Sequence, residues 1–109
     1  VSENANIREI IISVSGSSHG ITVVTDNEKI TGVITDGDLR RMLLSEQDLS
    51  KIIAKDIMSA HPKSIDKNAL AKEAMQILKD KNIGQLIVTE HGKYHGIIDI
   101  HRLLDEGIN

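Results

Sequence analysis

Gly32-Val33-Ile34-Thr35-Asp36-Gly37-Asp38-Leu39-Arg40-Arg41 decides how the rest of the chain is read. A short apolar run ends at Ile34. Thr35 and Asp36 follow, and both are good helix N-caps, because their side-chain oxygens accept bonds from free backbone N–H groups. Leu39, Met42 and Leu43 then fall at helical spacing. The stretch predicts a strand, a tight turn and a helix reaching to about Leu44. Such a turn aims free N–H donors and the positive helix end at one spot. Thr35 adds a hydroxyl, which suits a phosphate oxygen. Asp38 adds a carboxylate, which suits the two hydroxyls of a ribose. The same residues also serve a plain helix start, since acidic side chains belong in a first turn on dipole grounds alone. Arg40 and Arg41 offer planar forks suited to phosphate. Adjacent on a helix, they point about 100° apart, so at most one faces that spot.

Upstream, Ser2 is a candidate cap for a helix whose Ile7, Ile10, Ile11 and Val14 recur on one face, with Gly16 to Gly20 ending it. Ile21–Val24 and Ile30–Ile34 are short β-branched runs around Asp26-Asn27-Glu28-Lys29, and predict a hairpin with a loop longer than two residues. Downstream, Ser45–Ser50 is polar and reads as linker. Ser50 is a candidate cap for a short helix with Ile52, Ile53, Ile57 and Met58, and Pro62, the only proline, breaks the chain before Ser64 and Ile65.

The pattern then repeats. Asp66 is a candidate cap for a helix with Leu70, Ala71, Ala74, Ile77 and Leu78, and Gly84 ends the turn after it. Leu86–Val88 and Tyr94–Ile98 predict a second hairpin around Glu90-His91-Gly92. Asp99 is a candidate cap for a last helix with Leu103 and Leu104 inward. The alignment needs no gap at an offset of 64 residues, from Asn4/Asn68 through Glu9/Glu73, Gly20/Gly84, Thr25/Thr89 and Gly32/Gly96 to Leu39/Leu103. Caps, glycines and apolar positions repeat in phase. Each half alone buries little surface. The expected solution is two halves packed sheet face to sheet face, helices outside, with a cleft between them.

Composition removes several function classes. At 109 residues, 39% hydrophobic and 27% charged, the chain reads as one globular unit or two small ones sharing an aliphatic core. Tyr94 is the only aromatic, so base stacking on single-stranded nucleic acid has no platform. A net charge of −3 with no evident basic face argues against phosphate-backbone binding, so no nucleic-acid partner is expected. The absence of cysteine excludes a disulfide framework, a thiol nucleophile and a Cys-based zinc site, and is compatible with a cytoplasmic location. No apolar run approaches the roughly 20 residues that span a bilayer, and no signal peptide is visible, so no membrane partner is expected. The start at Val1 reads as that of an excised fragment. His19, His61, His91, His95 and His101 form no His-x-x-x-His pair on a predicted helix, so no metal site is expected. Asp36 with Asp38, or Asp99 with Asp105, has the form of a carboxylate pair, but nothing else in the chain supplies a reaction, and no catalytic residue is assigned.

With the repeat in place, the chain resembles a tandem CBS-domain pair, a Bateman module, over nearly all its length. Gly32-Val33-Ile34-Thr35-Asp36-Gly37-Asp38 matches the Gly-hydrophobic-x-Ser/Thr-x-x-Asp signature common in nucleotide-binding CBS repeats. Ala54-Lys55-Asp56-Ile57-Met58-Ser59 with Pro62 resembles the usual entry to a second repeat. Thr35–Arg41 and the ending Gly96–Ile108 are similar to the C-terminal CBS pair of arabinose 5-phosphate isomerases. The resemblance implies an α/β (α+β) fold of two strand-helix-strand-strand-helix repeats related by a pseudo-twofold axis. Residues 1–45 would be the first repeat, with its opening strand truncated, 46–53 a linker and 54–109 the second repeat. It implies a nucleotide or nucleotide-sugar effector, CMP-Kdo or an adenine nucleotide, in the inter-repeat cleft. Thr35 would face the phosphate and Asp38 the ribose, with Ile34, Asp36 and Arg41 beside them. His61, Lys63, Ile98 and Asp99 are the candidate contacts from the second repeat. There Asp99 and Arg102 replace the Thr and Asp of the signature, and a carboxylate repels phosphate, so that second turn is expected to be altered or empty. The implied partners are a catalytic sugar-isomerase domain, absent from this chain, and a second copy in a homodimer. The alternatives are a purely structural dimerisation module and the CBS pair of a sugar nucleotidyltransferase.

Overall fold

Asn6, rather than Ser2, starts the first helix. Its Oδ1 accepts the N–H of Glu9 at 2.9 Å, and Glu9 Oε1 accepts the N–H of Asn6 at 3.4 Å. This reciprocal cap opens α1 (Ile7–Ser15) in the computed structural model, which describes residues 1–109. Ile10 and Val14 are buried and Ile7 is partly so, while Ile11 at 37% exposure lies at the edge of the apolar face. Ser2 instead bridges Thr25 in parallel. Thr25 N–H donates to Val1 O at 2.9 Å and Glu3 N–H to Thr25 O at 3.2 Å, so residues 1–3 run beside β1.

Strand β1 (Ile21–Asp26) pairs antiparallel with β2 (Lys29–Thr35). The loop is shorter than expected. Asp26 pairs with Lys29, leaving Asn27 and Glu28 as a two-residue turn with φ of 50° and 70°. Two left-handed residues are what a type I′ turn requires, and its twist matches the strands. A register shift at Val24/Thr25 adds one residue to β2. Helix α2 (Asp36–Leu44) leaves β2 directly at Thr35.

The next segment folds back on these elements. Asp48, not Ser50, caps a 3-10 turn at Leu49–Lys51, since its Oδ1 accepts the Ser50 N–H at 3.0 Å. The short α3 (Ala54–Ile57) follows, and β3 (Ser59–Ala60) adds to the β2 edge. Ala54 N–H donates to Ala5 O and Lys55 N–H to Glu3 O, both at 2.9 Å. Ile52 and Ala54 complete the aliphatic core formed by Ile10, Val14, Val24, Ile34, Leu39 and Met42. Residues Val1–Pro62 thus make one unit, and Lys63–Asn109 a second with its own core of Ala74, Met75, Leu78, Leu86 and Leu103.

The second unit repeats the plan of the first. Strand β4 (Ser64–Asp66) runs parallel to β5 (Gln85–Glu90), which pairs antiparallel with β6 (Lys93–Asp99). The register shift recurs at Val88/Thr89, 64 residues after Val24/Thr25. Asp66 closes a local turn onto the Asn68 N–H at 2.9 Å and caps no helix. Helix α4 (Ala71–Lys81) starts after Leu70, which offers no side-chain cap. It ends at Asn82, whose left-handed φ of 53° does the work expected of Gly84. Asp99 caps α5 (Ile100–Asp105) as expected, with Leu103 buried and Leu104 at 45% exposure. The fold is α+β, two three-stranded sheets and five α-helices, in which a helix–hairpin–helix plan occurs twice while the third strand differs, β3 antiparallel to β2 and β4 parallel to β5.

Candidate functional site

Thr35 is at once the last residue of β2 and the N-cap of α2, because its backbone stays extended (φ −106°, ψ 168°) while Asp36 turns into the helix. Its Oγ1 accepts the Asp38 N–H at 3.2 Å. Asp38 Oδ2 accepts the Thr35 N–H at 2.9 Å and lies 3.1 Å from the Thr35 hydroxyl, which donates to it. Arg41, one helical turn on, donates from Nη2 to Asp38 Oδ1 at 2.6 Å. The Asp38 side chain is 13% exposed and that of Arg41 is 74% exposed.

Gly37 tightens this arrangement. A Cβ there would lie 3.4 and 3.6 Å from the Arg41 terminal nitrogens and 3.6 Å from Thr35 Oγ1. The guanidinium and the hydroxyl therefore border the same small space over the first turn. Gly20 supports the turn from below: its φ is +64°, its O accepts the Asp36 N–H at 3.0 Å, and a side chain on it would collide with the Asp36 carboxylate. An open depression of about 240 Å³ adjoins Asp38 and Arg41. Met42, Ser45, Gln47, Asp56 and Ile57 line the rest of it. The sequence reading missed Gln47, Asp56 and Ile57 here, because nothing local in 47–57 shows that this segment folds back on α2.

Of the expected site residues, Thr35, Asp38 and Arg41 meet in one hydrogen-bonded cluster. Asp36 is exposed on the same turn. Ile34 is fully buried in the core and paired with Thr22 in the sheet, so its side chain is not available to a ligand. His61 is exposed with φ 54°, and takes no part in the cluster.

The corresponding turn of the second unit is built differently. Asp99 Oδ1 accepts the His101 N–H at 2.8 Å, and Oδ2 accepts from Gln85 Nε2 at 3.1 Å. Arg102 points along its helix to Glu106, Nε to Oε1 3.3 Å. No reciprocal Thr–Asp cap forms there, and the residue in the threonine place is an anion. Ile98 packs against the second core, and Lys63 is exposed. No group of three or more His, Cys, Asp or Glu side chains is placed to hold a metal ion. No helix is long and apolar enough to cross a membrane.

The first turn thus combines a hydroxyl, a helix N-terminus and a guanidinium, which suit an anion, with a carboxylate, which suits a diol. Comparison with known proteins bears on the fold and the family. The chain is 36% identical over 100 residues to arabinose 5-phosphate isomerase KdsD of Francisella tularensis, a match covering 91% of this chain and 31% of that protein. The chain spans about a third of the length of the curated relatives it matches. The crystal structure of the CBS domain NE2398 superposes with a TM-score of 0.84 at 21% identity, over 100% of this chain and 87% of that one. CBS domain protein PAE2072 from Pyrobaculum aerophilum, solved in complex with AMP, superposes with a TM-score of 0.81 at 24% identity, over 94% and 82% of the two chains. The CBS-domain profile matches residues 1–45 and again 54–109, so the chain belongs to the CBS-domain family, as a tandem pair of repeats.

Proposed function

We propose that this chain is the regulatory CBS pair of an arabinose 5-phosphate isomerase in the Kdo pathway, binding a nucleotide or nucleotide-sugar at the Thr35–Asp38 turn. The observation that carries the reading is the Thr35–Asp38–Arg41 cluster, which gathers phosphate-seeking and ribose-seeking groups on one turn. The KdsD relatives support the parent enzyme, and the AMP complex of PAE2072 supports an adenine nucleotide. CMP-Kdo, as a pathway end product, is the rival ligand. In this reading the pair acts in the cytoplasm, works on a sugar-isomerase domain of the same protein, and associates with a second copy. Regulation is then a coupling free energy between the nucleotide turn and the catalytic domain.

A thermal-shift screen with AMP, ATP, CMP and CMP-Kdo tests it. A ligand binding only the folded state adds RT ln(1 + [L]/Kd), about 2.7 kcal/mol at a hundredfold excess over Kd. The control is Asp38→Asn, which keeps an acceptor for the Thr35 N–H while removing the charge. A clear shift in the wild type that Asp38→Asn abolishes supports the reading; a shift unchanged in that variant sinks the site. A second reading, a module that only assembles its parent enzyme, has the exposed Ile12, Leu43 and Leu44 in its favour. It predicts self-association in sedimentation with no response to any nucleotide.

A further inference from the structure

Both oxygens of the Asp38 carboxylate are already engaged. Oδ2 holds the Thr35 N–H and hydroxyl, and Oδ1 holds Arg41 Nη2 at 2.6 Å. The two engagements differ in kind. The Thr35 bonds belong to the start of α2 and are part of the fold. The Arg41 bond comes from a side chain that is 74% exposed, so little packing fixes the guanidinium where it is. That guanidinium also borders the Thr35 hydroxyl across Gly37.

We propose that Arg41 is a latch on Asp38 which a ligand's phosphate releases, making the site selective for 5′-phosphorylated nucleotides over nucleosides. This deepens the nucleotide reading above and rests on it. A phosphate received by the Thr35 hydroxyl, which turns its proton to it from Asp38 Oδ2 while the Thr35 N–H bond stays, lies beside the guanidinium and competes with Asp38 for it. The phosphate carries more charge than one carboxylate and matches the arginine fork in two-point contact. Once Arg41 turns to the phosphate, Asp38 Oδ1 is free to accept from the ribose hydroxyls. A neutral nucleoside brings no anion. Its ribose hydroxyls then compete with Arg41 for Asp38 Oδ1, with no phosphate to draw the guanidinium away, which weakens binding. The second repeat has no such latch, since Arg102 stands where Asp38 does and pairs with Glu106.

Isothermal titration of the wild type and Arg41→Ala with adenosine, AMP, ATP, cytidine and CMP reads this directly. Arg41 is exposed, so the variant is expected to fold, and circular dichroism checks it. In Arg41→Ala the nucleoside should bind more tightly than to the wild type and the nucleotide more weakly. The nucleotide-to-nucleoside preference should fall by about tenfold or more, the scale of one charge-assisted hydrogen bond. An unchanged preference, whether both affinities drop together or neither moves, overturns the latch and leaves the nucleotide site standing. A wild type that responds to no nucleotide here or in the thermal screen overturns the nucleotide reading, and the latch with it.

Discussion

Thr35 does two jobs with one hydroxyl. It caps α2 by accepting the Asp38 N–H, and on the nucleotide reading it also receives a phosphate oxygen. On that reading helix capping and ligand binding do not compete as explanations of this residue, because the cap is what holds the hydroxyl and the carboxylate in place. The electrostatics away from the turn are simpler. Glu90 accepts from Lys67 at 2.7 Å, and His95 Nδ1 lies 3.3 Å from its other oxygen. The Lys67 bond, then the Lys67 charge, holds the Glu90 carboxyl below its ordinary value of 4.5, with a smaller effect from His95. A carboxyl depressed in the folded state adds stability that is full above its unfolded pKa and is lost as pH falls through the folded one. Glu90→Gln should therefore narrow its stability gap to the wild type as pH drops below about 4.5, and leave that gap constant above it. Urea unfolding across pH 3–6 (about four points suffice) measures it, and a gap that widens toward acid would contradict the assignment.

At the scale of elements, the two repeats differ most usefully at their first helices. Asn6 and Glu9 close a reciprocal cap on α1, whereas 64 residues later Glu73 is present and the cap position holds Leu70, 66% exposed. Leu70→Asn restores the missing half of the pair. It should stabilise the second unit by about 1 kcal/mol, since an asparagine cap satisfies a free N–H and little packing is lost with an exposed leucine. Calorimetry checks this, and a lowered melting temperature would show that Leu70 packs in a way its exposure does not suggest. The hairpins show the opposite kind of agreement. Both carry the same register shift and the same two-residue turn, Asn27-Glu28 and His91-Gly92, with positive φ at all four residues. A turn of that kind is hard to read from Asn-Glu, because Glu is not a residue that favours a left-handed conformation.

For the whole molecule, the consequence of repeat divergence is stoichiometry. The first turn offers a hydroxyl and the positive end of α2, and the second offers Asp99, whose carboxylate repels phosphate. On the nucleotide reading, titration should give one site per chain, and two equivalent sites would show that Asp99 is tolerated by the ligand. The unit boundary matters as well. The sequence repeat resumes at Ala54, yet contacts assign everything to Pro62 to the first unit, because Ile52, Ala54 and the β3 pairing finish its core.

The sequence by itself left out the short strands β3 and β4 but determined the two repeats, the helices, the four hairpin strands and the turn on which the site is read. These follow from local rules: apolar periodicity, caps and glycines act within a few residues, and here they act twice in phase. The tertiary structure alone decided which candidate caps are used. Asn6 displaced Ser2 because Ser2 is drawn to Thr25, and Asp66 turned onto Asn68 instead of a helix. It also decided that residues 46–62 close the first core, that Ile34 is core rather than contact, and that Arg41 lies on Asp38. Each of these depends on which of several local partners lies nearer once distant segments have packed, and that choice is made by the packing of the chain as a whole.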